Sequence, residues 1–155
     1  MVDGSDSFFI QIGKNRVFMA AFFSWLTAQT LKVTLGVLRE RRFNFKWFVG
    51  SGGMPSSHAA LAMGLAVATG LSEGFHTGLF TLAFVFAMIT MFDAQGVRRQ
   101  SGRQAEVLNQ IVEDLYTQKG LHPDRLKALF GHTPIEVLAG GAVGIVVAMA
   151  CFRWL

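Results

Sequence analysis

The stretch Gly131-His132-Thr133-Pro134-Ile135-Glu136 sets a histidine and a carboxylate four positions apart at the mouth of an apolar run. In a helix that spacing is about one turn, so the two side chains share a face. Glu136 can then hold one imidazole nitrogen while the other points at a substrate, the base-and-orienter arrangement of nucleophilic sites. The plainer reading is that His132 ends a loop and Glu136 complements the positive end of the helix dipole. A second stretch, Gly52-Gly53-Met54-Pro55-Ser56-Ser57-His58, is a glycine-rich turn running into a helix. Its backbone N–H groups and hydroxyls suit a phosphate, although Ser56 and Ser57 serve equally well as N-caps. Lys32 lies inside an apolar run, with Arg39 further toward the same boundary. A lysine at membrane depth marks a functional site by default, with snorkelling to the headgroups as the simpler use.

The elements that must carry these residues are apolar and helical. Hydrophobic residues make up 52% of the 155 and charged residues 15%, well below the soluble average of about 25%, which points to a membrane bundle. The length predicts one domain, 1–155, with residues 1–16 as a flexible N-terminus. Four segments are expected to span: Phe18 to Leu38, Ala59 to Leu71, Phe75 to Phe92 and Ile135 to Phe152. The second is the weakest by length. Ala60, Gly64 and Ala68, and Gly140 and Gly144, recur at four-residue spacing and suit close helix packing in lipid. The first segment follows Lys14 and Arg16 as a signal peptide would, but its apolar run is too long for one. Cys151 is the single cysteine and excludes an intramolecular disulfide.

Between the last two spans, residues 94–133 form a polar helical insertion. Val107, Leu108, Ile111, Val112 and Leu115 recur at helical spacing opposite Glu106, Asn109, Glu113 and Asp114, which predicts an amphipathic helix on the bundle or the membrane surface. Pro123-Asp124 opens a second, short helix. With four spans, this insertion and the loop 39–57 share a side and hold Arg39, Arg41, Arg42, Lys46, Arg98, Arg99, Arg103, Lys119, Arg125 and Lys127, most of the 14 Lys and Arg. The positive-inside rule puts that side in the cytoplasm or its organellar equivalent. Because the cations sit between apolar runs and not along one polar face, nucleic acid is not an expected partner.

Lys32-x6-Arg39, Pro55-Ser56-Ser57-His58 and His132-x3-Glu136 resemble the three signature motifs of the type 2 phosphatidic acid phosphatase and vanadium haloperoxidase superfamily. The stretches Gly52–His58, Phe92–Arg99 and Gly102–Asn109 look more closely like its divergent branch, found in bacteria and chloroplasts. The resemblance runs from Phe22 over nearly all that follows.

What the resemblance implies is an all-α, polytopic membrane phosphatase that cleaves a lipid phosphomonoester through a phosphohistidine, without a required metal or other cofactor. His132 would be the nucleophile, Glu136 its orienter and His58 the general acid. Lys32, Arg39, Arg42, Ser56, Ser57, Arg98 and Arg99 would bind the phosphoryl oxygens. Phosphatidylglycerophosphate, phosphatidic acid or an isoprenoid phosphate fits such a site, reached from the cytoplasmic or stromal leaflet of a bacterial inner or chloroplast membrane. A homo-oligomer is compatible with it. Three positions depart from the parent pattern: Ser57 replaces glycine, Glu136 replaces aspartate, and Leu126 stands where an arginine is usual. Arg98 or Arg99 is the candidate replacement for that arginine, as Arg41 or Arg42 is for Arg39. Asp93 belongs to no parent motif and is expected to pair with Arg98 or Arg99, a magnesium contact being the less favoured use. The competing classes are a catalytically silent lipid-phosphate-binding protein, favoured by the arginine departures, and a small transporter. Against the transporter, the second and third spans offer no polar pathway.

Overall fold

In the computed structural model, residues 8–41, 53–95, 104, 107–112 and 132–154 are described, and among them the regular structure is entirely helical. The helices are α1 Phe8–Lys14, α2 Arg16–Glu40, α3 Ser57–Glu73, α4 Gly78–Gln95 and α5 Pro134–Trp154. Their ends follow from local chemistry. Asn15 caps α2 by accepting from the Phe18 N–H at 3.0 Å, and Arg41 closes it in a left-handed conformation with its N–H on the Val37 carbonyl. Gly74, at φ 98°, ends α3, and the Thr77 hydroxyl accepts the Phe80 N–H at the start of α4.

The helix with the weakest claim to span by length, α3, is the centre of the bundle and packs on α2, α4 and α5. Its small residues make this position available. Ala59, Ala60, Ala62, Gly64, Ala66 and Ala68 are all buried, so neighbouring backbones approach closely. A Cβ added at Gly144 would meet the Ala60 carbonyl oxygen and lie 2.9 Å from the Gly64 nitrogen. One added at Gly64 would meet the Ser24 hydroxyl, which itself donates to the Ala20 carbonyl at 2.7 Å and contacts that of Gly144 at 3.3 Å. The four-residue spacing of small residues therefore corresponds to real backbone approaches.

Three of the four segments expected to span lie within helices; in the third, Phe75 to Thr77 form the turn and the helix runs from Gly78 to Gln95. Two of the four helices, α4 and α5, are long and apolar enough to cross a membrane. Only 11% of the apolar window of α4 is buried. Leu79, Leu82, Phe86, Ile89 and Phe92 stand exposed along it. A soluble core helix would cover such residues, and so much contiguous apolar surface suits lipid. The 17 residues of α3 measure about 25 Å along the axis, somewhat short of the ~30 Å hydrocarbon layer.

Within the N-terminal segment, residues 8–14 form α1, whose apolar Phe8, Phe9 and Ile10 are exposed. Asn15 separates α1 from α2 by turning its N–H back onto the Ile12 carbonyl. Of the amphipathic helix expected in 94–133, residues 107–112 are helical, with Val107, Leu108 and Ile111 exposed, which favours the membrane surface over the bundle. The short helix after Pro123 lies outside the described residues.

Candidate active site

The last turn of α4 and the first turns of α3 and α5 meet at one end of the bundle, and Lys32 on α2 faces the same end. At its centre, the sequence Thr133-Pro134-Ile135-Glu136 forms a reciprocal cap. The Glu136 N–H approaches the Thr133 hydroxyl at 3.4 Å, and Thr133 donates its own N–H to Glu136 Oε2 at 2.9 Å. Pro134 takes the first helical position, where a missing N–H costs nothing. Glu136 Oε2 also lies 3.2 Å from His132 Nδ1. One carboxylate oxygen thus both caps the helix and contacts the histidine. A carboxylate fixed by its own helix end holds the imidazole more rigidly than a freely rotating one. With Nδ1 tied to Glu136, Nε2 is the ring nitrogen that a nucleophilic role would use.

The histidine is anchored from behind as well. Its N–H donates to the Ala94 carbonyl at 3.2 Å, and its side chain is buried. Beneath it, Ala59, Ala94 and Val137 form a buried cluster with Met91 against it. Glycine-rich turn and histidine helix are joined directly, since the Ser56 N–H donates to the Glu136 carbonyl at 3.0 Å. This junction requires a glycine at 140, because a Cβ there would land on the Ser56 carbonyl oxygen.

Gly53 sits at φ 87°, a conformation glycine adopts readily, and its Cα faces the Lys32 stem: a Cβ there would lie 3.4 Å from Lys32 Cε. Lys32 is buried at 8% exposure, with its aliphatic stem beside the turn. Ser56 is fully buried and its hydroxyl oxygen caps α3, 3.4 Å from the Ala59 N–H, which makes it a structural cap at the site. Ser57 is buried beside it, and His58 stands exposed on the first turn of α3. Arg39 is exposed on the last turn of α2, and Asp93 is exposed near the end of α4. Arg42, Arg98 and Arg99 lie outside the described residues, as do Arg41's neighbours in the loop and Leu126.

Gln29 escaped the reading of the motifs. It is 3% exposed and three residues before Lys32 on the same face of α2, one turn deeper in the bundle. The available signal was an amide in an apolar span so close to an intramembrane lysine.

Comparison with known proteins matches residues 13–147 to the family described as Divergent PAP2 family. The chain is 38% identical over 133 residues to an uncharacterized membrane protein, YuiD, of Bacillus subtilis (strain 168), a match covering 79% of this chain and 84% of that protein. No solved structure matches.

Proposed function

The chain belongs to the divergent PAP2 family, and on that premise we propose that it is a membrane phosphatase that hydrolyses a lipid phosphomonoester through His132. The observation that carries this reading is the 3.2 Å contact between His132 Nδ1 and a Glu136 carboxylate locked in a helix cap. In the first step, His132 Nε2 forms a bond to phosphorus as the bond from phosphorus to the lipid oxygen breaks. His58 gives its proton to that departing oxygen. In the second, water attacks phosphorus, the phosphorus–nitrogen bond breaks and inorganic phosphate leaves, the water proton passing to His58. Lys32, beside the glycine turn, and backbone N–H groups at the start of α3 offset the negative charge that develops on the phosphoryl oxygens. Arg98 or Arg99 would complete the set.

The measurement that tests this reading is phosphate release by the purified protein from phosphatidylglycerophosphate, phosphatidic acid and an isoprenoid phosphate, each with EDTA present. Release is expected from at least one and should persist in the chelator. Binding of these lipids without release would favour the second reading, a silent lipid-phosphate-binding protein, which the leucine at position 126 supports.

The proposed site opens toward the cytoplasm or stroma, on the side richer in cations. A cysteine introduced at Ser101 should be labelled by a membrane-impermeant thiol reagent only after cells are opened, with Cys151 replaced to remove background. Labelling in intact cells would place the site in the other leaflet.

A further inference from the structure

At the end of the bundle opposite His132, a cavity of about 470 Å³ opens between the α1–α2 junction and the α3–α4 turn. Lys14, Asn15, Arg16, Thr69, Ser72 and Glu73 supply its polar lining, and Val17 and Leu79 its apolar walls. The volume falls within the ~300–1,000 Å³ range of small-molecule sites. The 17-residue α3 runs from Ser57 in the candidate active site to Glu73 here, so the two sites are about 25 Å apart.

Arg16 is held in a fixed place. Its Nη2 donates to the Phe152 carbonyl at 2.9 Å and its guanidinium carbon stands 4.6 Å over the Phe152 ring, which pins the start of α2 to the end of α5. The Ser72 hydroxyl donates to Glu73 Oε1 at 2.9 Å, orienting the carboxylate. Two cations against one carboxylate leave a single positive charge on the lining. That balance matches the one negative charge of a phosphodiester better than the near two of a phosphomonoester. Glu73 adds an acceptor for a headgroup hydroxyl or amine. The surroundings are those of a bilayer interface: α1 exposes Phe8 and Phe9, and Leu79 and Leu82 continue the apolar surface along α4.

We propose that this cavity seats the phosphodiester headgroup of a bilayer phospholipid, in the leaflet opposite the candidate active site. The guanidinium and ammonium face the phosphate, Glu73 faces the headgroup's hydroxyl or amine, and the acyl chains run down α2 and α4.

Native mass spectrometry of the detergent-purified full chain titrated with phosphatidylethanolamine, which is neither a phosphomonoester nor the product of any lipid phosphate named above, provides the test. Wild type should retain one lipid per chain. Lys14→Gln should lower that adduct roughly five- to tenfold, as loss of a charge-assisted contact does. Leu79→Trp, which fills the cavity and keeps both cations, should lower it equally. Lys32→Gln, at the other end, should leave it unchanged. An adduct that survives both far-end variants, that is lost with Lys32→Gln, or that inorganic phosphate displaces at equal concentration would overturn the proposal. Because the readout is binding of a non-substrate, it is independent of whether His132 is a nucleophile.

Discussion

Replacing His132 with alanine should remove phosphate release by about three orders of magnitude or more, ~4 kcal/mol of barrier, with no comparable loss of folded protein. The chemical part rests on the nucleophile, for which water in the same place is no substitute. The structural part rests on which contacts the imidazole makes. The link from residue 132 to the Ala94 carbonyl runs through the backbone N–H, and the Thr133–Glu136 cap is closed without the ring. Single-turnover phosphate release, measured beside a thermal melt in the same detergent, separates the two. A variant that keeps more than about a tenth of the activity, equivalent to ~1.4 kcal/mol, removes His132 from the nucleophile's role. A variant that fails to fold instead shows that the buried ring is structural.

A methyl group added at Gly140 should cost about 1–3 kcal/mol of stability, whereas the same change at Gly141 should be nearly neutral. The two glycines are adjacent in sequence and both buried on α5, but they face different neighbours. At 140 the new carbon would meet the Ser56 carbonyl oxygen, with the Ala59 Cβ at 3.1 Å, and neither atom can move without its backbone. At 141 its nearest neighbours are the Met91 Cε and Sδ at 3.5 and 3.8 Å, ordinary contacts with a flexible side chain. Displacing Ser56 also strains its N–H bond to the Glu136 carbonyl, so the glycine turn moves away from the histidine helix. Gly140→Ala should therefore lower turnover by ~10–100-fold beyond what unfolding explains, since small misplacements of a catalytic group are amplified in rate. Thermal melts and phosphate release on both variants check this together. Equal melting temperatures would mean that α5 does not approach the glycine turn as closely as described.

Much of this organisation is legible in the order of residues. Long apolar runs must bury their backbone polar groups in helices, and four-residue repeats of glycine and alanine mark where such helices touch. The His132–Glu136 pair could be read because helical periodicity is a local rule, and the motif resemblance gave that pair a chemistry. Even the reciprocal cap was written in the chain, as a threonine three residues before a glutamate with proline between. Dipole compensation by Glu136 is only half of that cap. The helix over residues 8–14 is not legible in this way, because a short helix next to an asparagine cap leaves little periodic signal.

What the residue order decided is which segments are helices, which of their positions are small enough for contact, and which side chains carry reactive groups. It could do so because propensity, capping and period act over a few residues. The tertiary structure alone decided that α3, the shortest candidate span, is the central helix, and that Ser56 joins Glu136 while Ala94 anchors His132. It also set the Lys32 stem beside Gly53. Those choices depend on which backbones can approach across about 20 to 80 residues of intervening chain, and no local pattern carries the energy of that approach.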